Sequence, residues 1–363
     1  MLIKGGLFLI LTFISINCGS SKAVEPVEKP SIKIGGIGVE KLDKKFQNWL
    51  PTAVMADGSM LSATWDWIKG GERTVSEGKI PVNRLDRASF AETPAHGLSF
   101  TWLGHSSVMV EMGGYRIMFD PVFGKYASPV PLFVKRFSDS PISLDELPIV
   151  DLVVISHDHY DHLDEAVIKA LAPQNTRFFV TKGVKKYLTD WGISSDRIEE
   201  LTWWQQTGFK DLEVICVPAR HFSGRGLFNR DETLWAGWVI RGGDKGIYFS
   251  GDTGYADHFK VIGDKYGPFD LTMIKIGAYG KDWPDIHVNP EQAIKGHLDA
   301  KGRVILPVHW GVFKLAVHPW DEPIIRAVKA AQEDGVAITT PEIGVLVDLE
   351  KPIINRPWWE GIE

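Results

Sequence analysis

Three histidines and two aspartates lie within six residues, in the run His157-Asp158-His159-Tyr160-Asp161-His162. The run follows an apolar segment, Asp151 to Ile155, which predicts a strand that ends just before the first histidine. Imidazole nitrogens and carboxylate oxygens are the ligands that zinc and similar cations take in proteins. In a loop at a strand end, His157 and His159 can converge on one ion. Asp161 and His162 can then reach a second ion, so the spacing predicts a two-metal site.

Such a loop leaves both ions short of ligands, so further donors are expected at other strand ends. Three residues of a metal-ligand type follow later apolar runs: His221 after Val214 to Val217, Asp252 after Ile247 to Ser250, and His309 after Val304 to Val308. We therefore predict that these three residues complete the site.

The elements that must position these residues are readable from apolar periodicity. Strands are predicted at 100–112, 115–119, 149–156, 177–181, 212–218, 234–241, 246–250, 271–276, 303–307 and 335–347. Helices are predicted at 165–171, 184–191, 257–266, 290–299 and 323–334. Asn289 as N-cap, Pro290 at the first helical position and Gln292 at the third form a helix start. No repeat or internal linker divides the chain, so we expect one domain over residues 40–363, with mixed sheets and helices packed on them.

Composition excludes several classes of protein. The 363 residues suffice for a large core, and 44% of them are hydrophobic, which excludes a disordered chain. The net charge of −6, spread along the chain, offers no basic field for nucleic acid. Of the two cysteines, Cys216 lies in an apolar run and is expected to be a small buried hydrophobe.

The N-terminus resembles a bacterial lipoprotein signal. Lys4 precedes an apolar stretch from Leu7 to Ile16, which is too short to span a bilayer but suits a signal peptide. Cys18 follows it among small residues, as in a lipobox. We expect residues 1–18 to be the signal, Cys18 to be lipidated, residues 19–39 to be a flexible tether, and the protein to be exported and anchored to a membrane of a bacterial envelope. The alternative is a buried N-terminal helix with a free cysteine.

The ligand pattern as a whole resembles the metallo-β-lactamase superfamily, which implies an α/β fold, the four-layer αββα sandwich, with a dinuclear site along one edge of its two sheets. By this resemblance, His157, His159 and His221 hold the first metal. Asp161, His162 and His309 hold the second, and Asp252 bridges both. An aspartate at the bridging position, without a cysteine ligand, is similar to the branches that hydrolyse phosphoesters, thioesters and lactones.

A closer resemblance, over residues 40–320, is to the N-acylphosphatidylethanolamine-hydrolysing phospholipase D family. The motifs that carry it are WLGH at 102–105, FDPVF at 119–123, EL at 200–201 with WW at 203–204, GDTGY at 251–255, GPFDL at 267–271, IGAY at 276–279, HVNPE at 287–291 and HWG at 309–311. His287 matches the substrate-side histidine of this family, which would contact the phosphate or protonate the leaving oxygen, although it is also explained as a turn residue. The segment 280–286 departs from the animal members, which leaves acyl-chain specificity open.

The resemblance implies a phospholipase D reaction on N-acylphosphatidylethanolamine-like phospholipids. Two cations roughly 3.5 to 4 Å apart would share a hydroxide, with Asp252 bridging them and Asp161 accepting its hydrogen bond. Zinc suits the ligands best, and iron or manganese would accept them. The alternatives are a lactonase or phosphodiesterase acting on a soluble metabolite, and a metal-holding lipoprotein without enzymatic activity.

Several further residues have subsidiary roles in this interpretation. His105 and Asp120 are expected to orient ligands or to serve as core and cap residues. Four other histidines are predicted not to bind metal: His96, His258, His297 and His318. Aromatic residues near the matched loops are expected to line an acyl groove or to belong to the core: Trp203, Trp204, Phe222, Phe228, Tyr279 and Trp283.

Overall fold

The computed structural model describes residues 33–56, 65, 69–90, 97–130 and 133–362, so the predicted signal peptide and Cys18 lie outside the described residues. The strands are β1 Lys33–Ile34, β2 Ile37–Gly38, β3 Glu40–Leu42, β4 Lys45–Gln47, β5 Leu98–Gly104, β6 Ser107–Met112, β7 Tyr115–Phe119, β8 Leu152–Ile155, β9 Arg177–Thr181, β10 Ile198–Leu201, β11 Gln206–Phe209, β12 Leu212–Val217, β13 Gly237–Gly242, β14 Lys245–Phe249, β15 Phe269–Lys275, β16 Gly302–Val308, β17 Ala337–Ile338 and β18 Leu346–Asp348. The α-helices with described bounds are α1 Glu165–Leu171, α2 Lys185–Asp190, α3 His258–Tyr266, α4 Pro290–Asp299 and α5 Glu322–Glu333. None of these helices combines the length and the apolar composition that crossing a bilayer requires.

Two seven-stranded sheets form the centre of the molecule. The first has the order β10-β9-β8-β7-β6-β5-β18, and the second has the order β11-β12-β13-β14-β15-β16-β17. One buried apolar cluster contains side chains of both sheets. Phe119 of β7 and Phe249 of β14 meet in it, with ring centroids 5.1 Å apart. The sheets therefore pack face to face.

Helices cover the outer faces of both sheets. The side chains of β8 alternate between the two faces of the first sheet, and those on the outer face also need to be covered. Leu152 and Val154 belong to the cluster between the sheets, whereas Val153 and Ile155 belong to a second cluster that also contains Val167 of α1. A strand that is buried on both faces has a continuous apolar sequence.

The outer face of the second sheet is covered in the same way. His297 of α4 lies 2.7 Å from the hydroxyl of Thr272 in β15, and Phe259 of α3 packs against Tyr248 of β14. The layers therefore follow the order helix, sheet, sheet, helix. This confirms the predicted α/β fold, the αββα sandwich.

Most predicted elements are present, but two predicted strands are each divided in two. Residues 100–112 belong to β5 and β6, which pair antiparallel with a turn at His105 and Ser106. The other divided run is 335–347. This run divides into β17 and β18, which belong to different sheets. Gly344 lies in the connection with φ of +85°, and a Cβ there would lie 2.1 Å from the carbonyl oxygen of Asn83. A single strand cannot include that left-handed turn. The predicted start of α4 is confirmed, because Asn289 and Gln292 form a reciprocal capping box.

Part of the predicted tether is ordered. Residues 33–38 form the hairpin β1–β2, in which Gly35 and Gly36 both have positive φ, as a two-residue hairpin turn requires. Ile37 is fully buried, and its carbonyl oxygen accepts a hydrogen bond from the indole of Trp204. The structure thus places residues 33–39 in the folded domain rather than in the predicted flexible tether, because they include a paired hairpin whose Ile37 packs in the core.

Candidate metal centre

The predicted ligands follow strands that run in the same direction. Strands β7 and β8 are parallel, as are β14, β15 and β16. Strand β12 has the direction of β14, because both pair antiparallel with β13. The carboxyl ends of these strands therefore meet along one edge of the sandwich, where open α/β sheets bind their ligands. The residues that follow them are Asp120 after β7, His157 after β8, His221 after β12, Asp252 after β14 and His309 after β16.

Three imidazoles converge at the first position. Nε2 of His157 lies 2.9 Å from Nδ1 of His159, and that atom lies 3.4 Å from Nε2 of His221. His157 and His221 are buried and His159 is half-buried. Ring nitrogens that face one another at these distances match the spacing of ligands around a single cation. The structure thus brings together the three residues predicted for the first metal.

A second group surrounds Asp161. Its Oδ2 lies 3.1 Å from Nε2 of His105, 3.2 Å from Nε2 of His309 and 3.4 Å from Nε2 of His162. The three residues predicted for the second metal are therefore together. His105, predicted to orient a ligand, belongs to the same group of possible ligands.

Asp252 lies between the two groups. Its Oδ2 is 3.1 Å from Nε2 of His309 and 3.4 Å from Nε2 of His162, which both belong to the second group. The same oxygen is 3.8 Å from Nε2 of His221 in the first group. One carboxylate thus faces ligands of both groups, as a bridging residue must.

The electrostatics of the pocket favour a positive charge. Burial alone would raise the pKa of Asp252, but His309 and His162 hold it well below its usual value. Burial would likewise lower the pKa of His162, but Asp252 and Asp161 raise it well above its usual value. Nε2 of His162, Nε2 of His309 and Oδ1 of Asp252 are buried and have no hydrogen-bond partner among the described residues. Imidazole nitrogens and carboxylate oxygens without such partners are atoms that a divalent cation can coordinate. The residues therefore fit metal binding.

Hydrogen bonds to neighbouring groups orient the first-site and second-site histidines. Asp120 is fully buried, and its Oδ2 lies 2.6 Å from Nδ1 of His162. Its Oδ1 accepts a hydrogen bond from the backbone N–H of Ser156 at 2.7 Å. Nδ1 of His221 lies 3.1 Å from the carbonyl oxygen of Ile286. Contacts of this kind fix which ring nitrogen faces the metal.

His287 lies at the border of the centre. Its Nδ1 is 3.9 Å from Oδ2 of Asp252, and its ring centroid is 5.1 Å from that of His221. With these two residues it forms another group of possible ligands. The structure thus places His287 at the edge of the centre, among its possible metal ligands.

The histidines predicted not to bind metal have other contacts. Nε2 of His258 lies 3.1 Å from the hydroxyl of Thr253, and Nδ1 of His297 faces Thr272. Nε2 of His318 accepts the backbone N–H of Ala278. None of these three histidines belongs to a possible ligand group. His96 lies outside the described residues.

The aromatic residues predicted to wall a groove divide into two kinds. Trp203 and Trp204 are 1% and 3% exposed and belong to the core, the second of the two roles predicted for them. Phe222 packs against the ring of His159, with centroids 4.6 Å apart. A cavity of 350 Å³ lies beside it, lined in part by Phe46, Asn48, His221, Phe222 and Arg230.

Sequence reasoning missed the residues that hold the ligand loops in place. The carboxylate of Asp158 accepts a hydrogen bond from the backbone N–H of Gly224. The backbone carbonyl oxygen of Asp158 accepts another from the Arg225 side chain. Asn48 donates from Nδ2 to the carbonyl oxygen of His221 at 2.8 Å, and its Oδ1 accepts the backbone N–H of His221 at 3.2 Å. Asp158 was visible inside the histidine run. Asn48 gave no signal, because 173 residues separate it from His221.

We expect Asn48→Ala to weaken metal binding at the first group by about tenfold, the lower end of the range for groups that orient a ligand. The substitution removes both hydrogen bonds that hold the backbone of His221. Titration with Zn²⁺ against a chromophoric chelator measures the change. Gln47→Ala alters an exposed neighbour and should leave the affinity unchanged. An equal loss in both variants would show that this segment acts only through general stability.

Comparisons with known proteins agree with the fold and with a metal-dependent hydrolase. Residues 115–310 match the family described as beta-lactamase superfamily domain. A Mycobacterium tuberculosis protein described as uncharacterized is 47% identical over 270 residues, which cover 73% of this chain and 72% of that protein. N-acyl-phosphatidylethanolamine-hydrolyzing phospholipase D 1 of Caenorhabditis elegans is 37% identical over 316 residues, which cover 80% of this chain and 86% of that protein. A metallo hydrolase structure from the archaeon Ignicoccus hospitalis has a TM-score of 0.53 at 23% identity, and the match covers 69% of this chain and 97% of that one.

The matched region begins with β7 and ends two residues after β16, so it contains every predicted metal ligand, including His309. The resemblance drawn from the motifs is confirmed. The chain belongs to the beta-lactamase superfamily of metal-dependent hydrolases and is a relative of the N-acylphosphatidylethanolamine-hydrolysing phospholipases D.

Proposed function

We propose that the chain is a phosphodiesterase of phospholipase D type that uses two metal ions to hydrolyse N-acylphosphatidylethanolamine-like phospholipids. Zinc suits the ligand set best, and iron and manganese accept the same donors. The observation that carries the proposal is the position of Asp252, whose Oδ2 faces histidines of both ligand groups. The choice of substrate is supported by the C. elegans relative, whose name states this activity.

Divalent cations at this centre would polarise a phosphoryl oxygen and lower the pKa of a water molecule toward about 7. The residues of the chain orient the reactants. Asp161 is 13% exposed, whereas the side chains of Asp252 and His309 are 3% and 1% exposed. Asp161 thus faces the accessible side of the centre, where its carboxylate can accept a hydrogen bond from the attacking water.

We assign His287 to the substrate side, where it contacts a phosphoryl oxygen or protonates the leaving oxygen. Its side chain is 13% exposed, and Nδ1 is buried without a hydrogen-bond partner among the described residues. In the proposed reaction the water oxygen bonds to phosphorus, and the bond from phosphorus to the ethanolamine oxygen breaks. The leaving oxygen takes a proton. The products are phosphatidic acid and an N-acylethanolamine.

The test is mass spectrometry of N-acylphosphatidylethanolamine vesicles incubated with the zinc-loaded protein. We expect release of phosphatidic acid and N-acylethanolamine, and no release after the metal is chelated, because the ligands alone provide no activated water. Restoring Zn²⁺ should restore the activity. Bis(p-nitrophenyl) phosphate serves in parallel as a soluble phosphodiester.

Two outcomes would contradict the proposal in different ways. Hydrolysis of the soluble diester without release of products from the vesicles would support phosphodiesterase activity but reject the phospholipid as the substrate. Bound zinc without turnover of any ester would favour a metal-holding protein.

We also propose that the chain is exported and anchored to a membrane through lipidated Cys18. The support is the N-terminal pattern alone: one cation, an apolar stretch and a cysteine among small residues. Such an anchor would keep the enzyme at the surface where its phospholipid is concentrated.

A further inference from the structure

Lys275 is a buried cation at the sheet edge that carries the metal centre. It is the last residue of β15, which lies between β14 and β16. The chain reaches Asp252 just after β14 and His309 just after β16. Because the three strands are parallel, their carboxyl ends bring Lys275 to the same edge as these two ligands. Its side chain is fully buried.

This ammonium group has no carboxylate within salt-bridge distance in the part of the chain that the structure describes. Its Nζ donates to the carbonyl oxygen of Gly277 at 2.7 Å. A buried cation without a contacting anion is costly unless other charges compensate it. The charges that favour protonated Lys275 are those of Asp252 and Asp161. The compensating anions are therefore the carboxylates of the metal centre.

The two aspartates that compensate Lys275 are also predicted ligands of the metal ions. A cation bound by these aspartates would be repelled by the positive charge of Lys275. The lysine and a metal ion therefore compete for the negative charge of two aspartates.

We propose that Lys275 is a positioning residue that serves as an internal counter-cation for Asp161 and Asp252. Its charge stabilises these carboxylates when no metal is bound and repels a metal ion that binds between them. Lys275 thus weakens metal binding while it keeps the ligands in place in the metal-free protein. The inference needs only the metal centre and does not depend on the proposed phospholipid substrate.

The size of the effect has a natural limit. Burial lowers the pKa of Lys275 to about 8, although Asp252 and Asp161 oppose the shift. At pH 7 the protonated form of Lys275 is therefore favoured over the neutral form by only about tenfold. The repulsion that a metal ion experiences is limited to about the same factor.

The test compares a neutral and a charged replacement. Lys275→Met removes the charge and keeps a long side chain, whereas Lys275→Arg keeps a charge that cannot be neutralised. Metal-free proteins are titrated with Zn²⁺ against a chromophoric chelator at pH 7. We expect the Met variant to bind Zn²⁺ about tenfold more tightly than the wild type, and the Arg variant to bind it no more tightly. Tighter binding should also widen the gap between the thermal midpoints with and without Zn²⁺.

Unchanged or weaker Zn²⁺ binding in Lys275→Met overturns the proposal, because a lysine that only anchors Gly277 would loosen the site when removed. Lys275→Gln provides a second neutral variant in case the Met variant does not fold. Lys329→Met removes an exposed charge on α5 and should leave the affinity unchanged. A failed phospholipase assay would leave these Zn²⁺ affinities intact, so the two proposals fail separately.

Discussion

Asp252→Ala is expected to lower kcat for the phosphodiester substrate by at least about 10³-fold, the upper part of the range for loss of one charge-stabilising group at an active site. Its Oδ2 faces His309, His162 and His221 at 3.1, 3.4 and 3.8 Å. Removing this carboxylate leaves the two ligand groups without the residue that they share. Turnover and metal content per chain are measured together, by substrate assay and elemental mass spectrometry.

The matched control is Asp257→Ala. This aspartate lies on the exposed surface five positions later, and its side chain makes no capping hydrogen bond at the start of α3. It should retain the activity and the metal content of the wild type. Substantial activity in Asp252→Ala would reject a bridging role for Asp252 and the two-metal proposal with it.

The ligands were predictable from sequence because they all lie just after the ends of predicted strands. His221, Asp252 and His309 stand at the ends of apolar runs, and the run from His157 to His162 contains four predicted ligands in one loop. In a sheet of parallel strands, the residues after the carboxyl ends lie along one edge, so no contact between distant residues had to be known in advance. A local pattern thus predicted long-range contacts, because the fold places strand ends along one edge.

The residues that support the ligands were not predictable in this way. Asn48 holds His221 from a segment far away in sequence, and nothing in its local pattern distinguishes it from any other polar residue in a loop. Lys275 resembles an ordinary residue at the end of a strand. Its burial and its position between the strands that lead to Asp252 and His309 become evident only from the strand order.

Backbone conformation at the centre was also invisible in the sequence. His105, Asp120 and His309 have φ values of +53°, +38° and +66°, in a region that non-glycine residues rarely occupy. Each of them follows a strand that ends at the metal edge. Such strain persists only where surrounding contacts impose it, and it is concentrated at functional sites. The turn at each strand end therefore aims a side chain at the centre at some cost in stability.

Asp120→Ala is expected to weaken metal binding by up to about a hundredfold and to lower the free energy of unfolding by about 1–3 kcal/mol for each buried donor that it leaves unpaired. The Asp120 carboxylate accepts the backbone N–H of Ser156, the Ser156 hydroxyl and Nδ1–H of His162. Without it, the ring of His162 loses the contact that directs Nε2 toward Asp161 and Asp252. Urea denaturation and Zn²⁺ titration measure the two effects.

Asp120→Asn separates orientation of the ligand from stability. Its amide oxygen can still accept the backbone N–H of Ser156, but its NH₂ group would face Nδ1–H of His162, where two donors oppose each other. We therefore expect most of the stability to be kept and most of the metal affinity to be lost. Asp139→Asn, at an exposed residue paired with Arg84, should change neither quantity. If Asp120→Asn binds Zn²⁺ like the wild type, the aspartate stabilises the fold but does not orient His162, and the second metal position depends on its direct ligands alone.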